Sequence, residues 1–110
     1  MKINRLTNPE SIDENFIVTE IGLGNEVIIQ FNEITYTDKL LSEINSLLLS
    51  LNSNFQVRFY GHDKKTFDCK TLLKIGNVKN LSINCLKKIK NLGELSNLNN
   101  LEKLIFGVDD

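Results

Sequence analysis

Alanine and tryptophan are missing from this chain of 110 residues, while proline, histidine and methionine occur once each. One histidine and two cysteines, Cys69 and Cys85, leave a zinc site without ordinary ligands, because no C-x-x-C pair is present. The same two cysteines make no disulfide framework, and they point to a reducing, cytoplasmic compartment. No stretch approaches the ~18 apolar residues of a membrane span, and the opening MKINRLTNPESIDEN has no apolar leader-like core. Charge of one sign is also lacking: 13 basic residues stand against 14 acidic ones, which argues against a dedicated nucleic-acid binder or a polybasic membrane protein. Walker, H-E-x-x-H and G-x-S-x-G motifs are all absent.

What is present is an ordinary globular composition, 41% hydrophobic and 25% charged, long enough for one domain with its own core. Leu, Asn, Ile and Lys supply half of the chain, the bias of a low-GC bacterial genome, so a lone Asn or Lys carries little functional weight. Residues 1–14 are polar, broken by Asn8-Pro9, and read as an N-terminal arm. Two β-branched runs, Phe16 to Ile21 and Glu26 to Phe31, flank Gly22-Leu23-Gly24-Asn25 and predict a short β-hairpin. With the helix that follows, the hairpin forms a unit over 15–54.

From Thr37 the period changes. Leu40, Leu41, Ile44, Leu47, Leu48 and Leu51 make one helical stripe, capped by Thr37, with Asp38 in the first turn. Phe55 to Tyr60 then reads as a strand, parallel to 27–31 through a right-handed crossover. Across 55–110 the chain matches itself at an offset of 23. Leu72, Ile75, Val78, Leu81 and Ile83 fall on Leu95, Leu98, Leu101, Leu104 and Phe106. Val57 and Phe59 precede Leu81 and Ile83 by 24. Such a period is that of a solenoid with one strand per turn.

The segments VKNLSINCL and LEKLIFGVD, with the lead-in SNLNNLEKLIF, resemble the L-x-x-L-x-L stretch of bacterial leucine-rich repeats. The position where that family usually carries Asn or Cys holds Leu86 in one copy and Asp109 in the other. The resemblance implies an α/β solenoid, a parallel sheet with outer helices, here preceded by the N-terminal hairpin. It also implies a non-catalytic module that binds a protein partner, with an immunity or regulatory protein neutralising a toxin or enzyme as an alternative.

The candidate chemistry is sparse. His62, in Tyr60-Gly61-His62-Asp63, follows a strand but has no nucleophile or second ligand near it in sequence, and reads as a solvated loop residue. Cys69 follows Asp68, a candidate N-cap, where a helix dipole lowers a thiol pKa; a small buried hydrophobe is the plainer reading. Gly22 and Gly24 suit the hairpin turn better than a phosphate loop, because a strand rather than a helix follows them. Residues 61–90 hold eight lysines against Asp63 and Asp68, a net +6. This block is the alternative nucleic-acid surface, although without interleaved aromatics it reads as a solvated convex face.

A surface remains. With Val57, Phe59, Leu81, Ile83, Leu104 and Phe106 facing inward, strand alternation puts Gln30, Arg58, Ser82 and Ile105 in one outward row. Asn32, Tyr60, Asn84 and Gly107 form a second. The expected binding residues are therefore Gln30, Arg58, Tyr60, Ser82, Asn84 and Ile105, with Arg58 and Tyr60 as anchors. No cofactor is expected. Nothing after Leu104-Ile105-Phe106 reads as a helix to cover the last turn, so Leu101, Leu104 and Phe106 are expected at an exposed edge open to self-association.

Overall fold

The computed structural model describes residues 1–108. Five strands build one sheet: β1 (Ile3–Thr7), β2 (Glu26–Phe31), β3 (Phe55–Tyr60), β5 (Asn80–Leu86) and β7 (Lys103–Val108), in the order β1-β2-β3-β5-β7. Every neighbouring pair is parallel. Two short strands, β4 (Thr66–Asp68) and β6 (Lys88–Lys90), pair separately, also in parallel. Helix α1 (Glu14–Gly22) connects β1 to β2, and α2 (Asp38–Leu48) connects β2 to β3. Further along, 3₁₀ turns at Cys69–Ile75 and Leu92–Asn97 take the place of α-helices.

Parallel strands need crossovers of a dozen or more residues, and right-handed crossovers added in one direction all land on one face. Ile17 and Ile21 of α1, the stripe of α2, and Cys69, Leu72, Ile75 and Val78 accordingly join one cluster with Val27, Ile29, Phe31, Phe55, Val57, Phe59, Leu81 and Ile83. Among the described residues the opposite sheet face carries no helix. Asp109, where the repeat pattern was compared, lies outside the described residues.

Thr37 caps α2 as its sequence implies, its hydroxyl accepting from the Leu40 amide at 3.1 Å. The predicted parallel pairing also holds, with Val27 opposite Phe55 and Phe31 opposite Phe59. Residues aligned by sequence offset lie side by side: Val57, Leu81 and Leu104 in one row, Phe59, Ile83 and Phe106 in the next.

The N-terminal hairpin is not formed, and neither is the loose arm. Residues 3–7 make edge strand β1, and the whole of Phe16 to Ile21 lies in helix α1. Asp13 caps that helix by accepting from the Phe16 amide at 3.1 Å. Ile17 and Ile21, one turn apart, take the buried side while Phe16 and Val18 stay exposed. A second parallel strand demands a crossover before β2, so tertiary context overrides the β-branched propensity of this run. Gly24 ends the helix rather than turning a hairpin. It adopts φ +84°, its amide reaches the Ile21 carbonyl at 3.0 Å, and the Asn25 amide reaches the Glu20 carbonyl at 3.0 Å. These two bonds form a Schellman stop, which favours glycine at the left-handed position.

Strand β7 is the edge, and its apolar residues are open: Leu104 is 43% exposed and Phe106 40%, while Leu81 is fully buried. The two aligned leucines therefore differ in energetic weight. In denaturant melts, Leu81→Ala is expected to destabilise by about 2–5 kcal/mol, as for a fully buried leucine. Leu104→Ala should lose less than about half as much, because much of its surface is already in water.

Candidate functional site

The helix-free sheet face is built by strand alternation. Gln30, Arg58, Ser82 and Ile105 stand side by side, as sequence spacing implies, and β1 extends the row with Thr7. A neighbouring row runs Arg5, Ile28, Gln56, Asn80, Lys103. Tyr60 lies opposite Asn84. Asn32 lies just past the end of β2 and is turned toward Asn8, whose side-chain amide donates to its Oδ1 at 2.6 Å.

The polar groups of this face bond sideways across the strands. Gln56 donates to Asn80 Oδ1 at 3.0 Å, and Asn80 donates to the Ser53 carbonyl at 2.8 Å. Gln30 donates to the Thr7 hydroxyl at 2.8 Å and to the Tyr60 hydroxyl at 3.4 Å. Its Oε1 accepts from Arg58 at 3.2 Å and from Arg5 at 3.4 Å. A guanidinium can only donate, so the two arginines fix which way the Gln30 amide points. Arg58 also donates from Nε to Asn84 Oδ1 at 3.0 Å, and its guanidinium carbon sits 3.9 Å above the centre of the Tyr60 ring. Among the described residues no buried side-chain nitrogen or oxygen lacks a partner. Gln30, Gln56, Asn80 and Ser82 are thus buried polar residues whose bonds offset their desolvation.

Above this floor lies an open depression of about 480 Å³, bordered by Ile3 on the β1 side and by Lys103 and Ile105 on the β7 side. Arg5 and Arg58 are also among its lining residues, and Glu26 is the carboxylate there. Among the described residues the ion pairs are Lys74 with Asp38 and Lys90 with Asp68, so both arginines are without a carboxylate partner. None of the eight lysines of 61–90 borders this depression.

His62 is not a solvated loop residue. It is 1% exposed, packed edge-on to Phe67 at 5.5 Å and beside Tyr36 at 5.9 Å. Its Nδ1 lies 2.7 Å from the Tyr60 carbonyl and its Nε2 3.0 Å from the Tyr36 hydroxyl. A carbonyl only accepts, so Nδ1 carries the proton and Nε2 accepts from the tyrosine. Both ring nitrogens are hydrogen-bonded within the protein. The bonds also anchor a strained backbone: His62, Asp63 and Lys64 have φ of 63°, 45° and 67°. A left-handed run costs roughly 1–2 kcal/mol per non-glycine residue. The signal missed in the sequence was Tyr36, whose hydroxyl meets the ring only after the chain folds.

Cys69 is fully buried, and burial, with the charges of Asp68 and Glu94, pushes its thiol up rather than down. Asp68 caps its turn through the Lys70 amide at 3.0 Å, and Cys69 serves as a small core hydrophobe. No group of three or more metal-ligating side chains occurs among the described residues, and no helix there is long and apolar enough to cross a membrane. Arg5, Ile28, Gln56, Asn80 and Lys103 were missed as face residues. Arg5 lies on β1, whose polar sequence does not announce a strand, and the others stand two positions before Gln30, Arg58, Ser82 and Ile105 on the same face. No family model, no curated protein and no solved structure matches the chain.

Burial holds the His62 pKa below its ordinary value, against an opposing effect of the Tyr60 carbonyl bond, and pushes Tyr36 up to about 12. The unfolded chain therefore takes up the imidazole proton first as pH falls. The His62 contribution is complete above the unfolded pKa of about 6.5 and is lost below it, down to the folded value. Thermal melts from pH 7.5 to 5 should show Tm falling for the wild type, with a shallower fall for His62→Gln. Equal slopes would remove His62 as the cause.

Proposed function

We propose that this protein is a non-catalytic, cytoplasmic interaction module of the leucine-rich-repeat type, which binds a protein partner through its helix-free sheet face. The observation that carries the reading is the Arg58–Tyr60 stack. It is held in place by Gln30 and Asn84 on a floor of satisfied amides. Arginine and tyrosine dominate binding energy at protein interfaces, and side chains already fixed in place lose little freedom on binding. Ile105, 42% exposed beside Ser82, adds apolar area at the rim.

Lateral bonds between residues 23 or 24 apart support the repeat-type reading. They join Gln56 to Asn80, Asp68 to Asn91 and Asn77 to Asn100. Two free cysteines suit a reducing compartment. The engaged ring of His62 and the raised thiol of Cys69 support a role without catalysis.

Affinity capture from the native cell with crosslinking tests the reading. Wild-type protein should retain a partner that Arg58→Glu and Ile105→Arg each lose by at least about tenfold, the scale of a hot-spot residue. Exchanges on exposed α2 positions, Lys39→Glu and Glu43→Lys, should leave recovery intact. Recovery that depends on α2 and not on the sheet face would overturn the proposal.

A further inference from the structure

We infer that the sheet face recognises an acidic peptide segment, seating a carboxylate between Arg5 and Arg58; this rests on the interaction reading above and specifies its partner. The two guanidiniums converge on one amide oxygen, Gln30 Oε1, at 3.4 and 3.2 Å. Like charges brought this close repel, and among the described residues no carboxylate forms an ion pair with either. Gln30 supplies only a neutral oxygen. An incoming carboxylate would relieve the repulsion and accept from both forks.

The donors are available. Arg58 uses Nε on Asn84 and one terminal nitrogen on Gln30, and Arg5 uses one terminal nitrogen on the same amide. A guanidinium has five N–H groups in a planar fork that matches a carboxylate, and most of those of Arg5 and Arg58 make no hydrogen bond among the described residues. Lys103 adds a third cation at the β7 side, against Glu26 as the carboxylate of the lining. The protein as a whole has a net charge of −1, so this local excess is not a reflection of composition.

Size points to a segment rather than a domain. Five strands spaced by ~4.8 Å and about six residues long at ~3.3 Å give a face of roughly 400 Å². A standard interface buries about 800 Å² on each partner. An extended or looped peptide fits that footprint, with apolar residues flanking its carboxylate to meet Ile3 and Ile105, 49% and 42% exposed at opposite edges. A nucleic-acid strand fits less well. Arg58 occupies the Tyr60 ring at 3.9 Å, which takes that stacking platform from a base, and the eight clustered lysines lie away from the depression.

The test is a titration of isotope-labelled full chain followed by NMR, reading the arginine Nε–H signals. The probes are an end-blocked Leu-Glu-Asp-Glu-Leu peptide and its Leu-Gln-Asn-Gln-Leu counterpart. The acidic peptide is expected to bind at least about tenfold tighter, to move the Arg5 and Arg58 signals, and to weaken as salt rises. Arg58→Lys should not restore what Arg58→Gln loses, because a point charge lacks the fork. Arg5→Gln, at an exposed position of an edge strand, keeps the test valid if the Arg58 variants fail to fold. Equal binding of the two peptides, shifts confined to the lysines of 61–90, or a stronger response to a ten-residue oligothymidylate would each overturn the inference. If partner recovery still depends on Arg58 and Ile105 while the peptides bind equally, acidic recognition fails and the sheet-face reading stands. If recovery ignores both residues, the sheet-face reading itself fails.

Discussion

The chain adds its main-sheet strands in one direction, each parallel to the last, and most of the architecture depends on that order. A right-handed crossover returns to the sheet on a fixed side, so a sequence of strands without reversal sends every connection to the same face. One face therefore receives α1, α2 and the 3₁₀ turns, and with them the whole apolar cluster. The other receives no helix among the described residues. Where strand order reverses, helices cover both faces and a crevice opens at the strand ends. No such reversal occurs among the described strands, and the extended surface of this protein is the flat side of its sheet.

A bare face imposes its own requirement. Backbone and side-chain groups there are close-packed, yet they meet water or a partner rather than a hydrophobic layer. Gln30, Gln56, Asn80 and Ser82 are each less than a tenth exposed, and their partners lie mostly on neighbouring strands. Ile28 is buried on the same face outside the main apolar cluster. The lateral bonds tie strands β1, β2, β3 and β5 together, hold Arg58 against Tyr60, and leave the charged ends of Arg5 and Arg58 on top. The groups that stabilise the face are the groups that fix the position of Arg58 on it.

At the strand ends the chemistry runs the opposite way. His62 stands where α/β proteins often place reactive groups, but its two nitrogens are spent on Tyr36 and the Tyr60 carbonyl. The result is a pin for a left-handed turn. Phe31, Phe59 and Phe67 surround the pair within a continuous aromatic group, which explains why a polar ring is tolerated there only when fully bonded.

Local pattern alone determined α2 and β3: a leucine stripe of helical period behind a Thr cap, then an alternating run, each consistent with its own propensity. The offsets of 23 and 24 likewise aligned Arg58, Ser82 and Ile105, and the parallel pairing of 27–31 with 55–60 added Gln30, so the row was legible before any contact was known. Tertiary structure alone decided the rest. Phe16 to Ile21 carries β-branched residues suited to a strand, yet the parallel sheet needs a crossover at that point and buries Ile17 and Ile21 one helical turn apart. Residues 3–7 have too little apolar character to announce a strand; β2 beside them supplies the hydrogen-bonding edge. With β1 in place Arg5 comes to Arg58, and with Tyr36 folded over Phe59 a lone histidine becomes a buried one. Both depend on groups separated by 23 residues or more that lie outside the repeat pattern, and nothing along the chain marks such encounters.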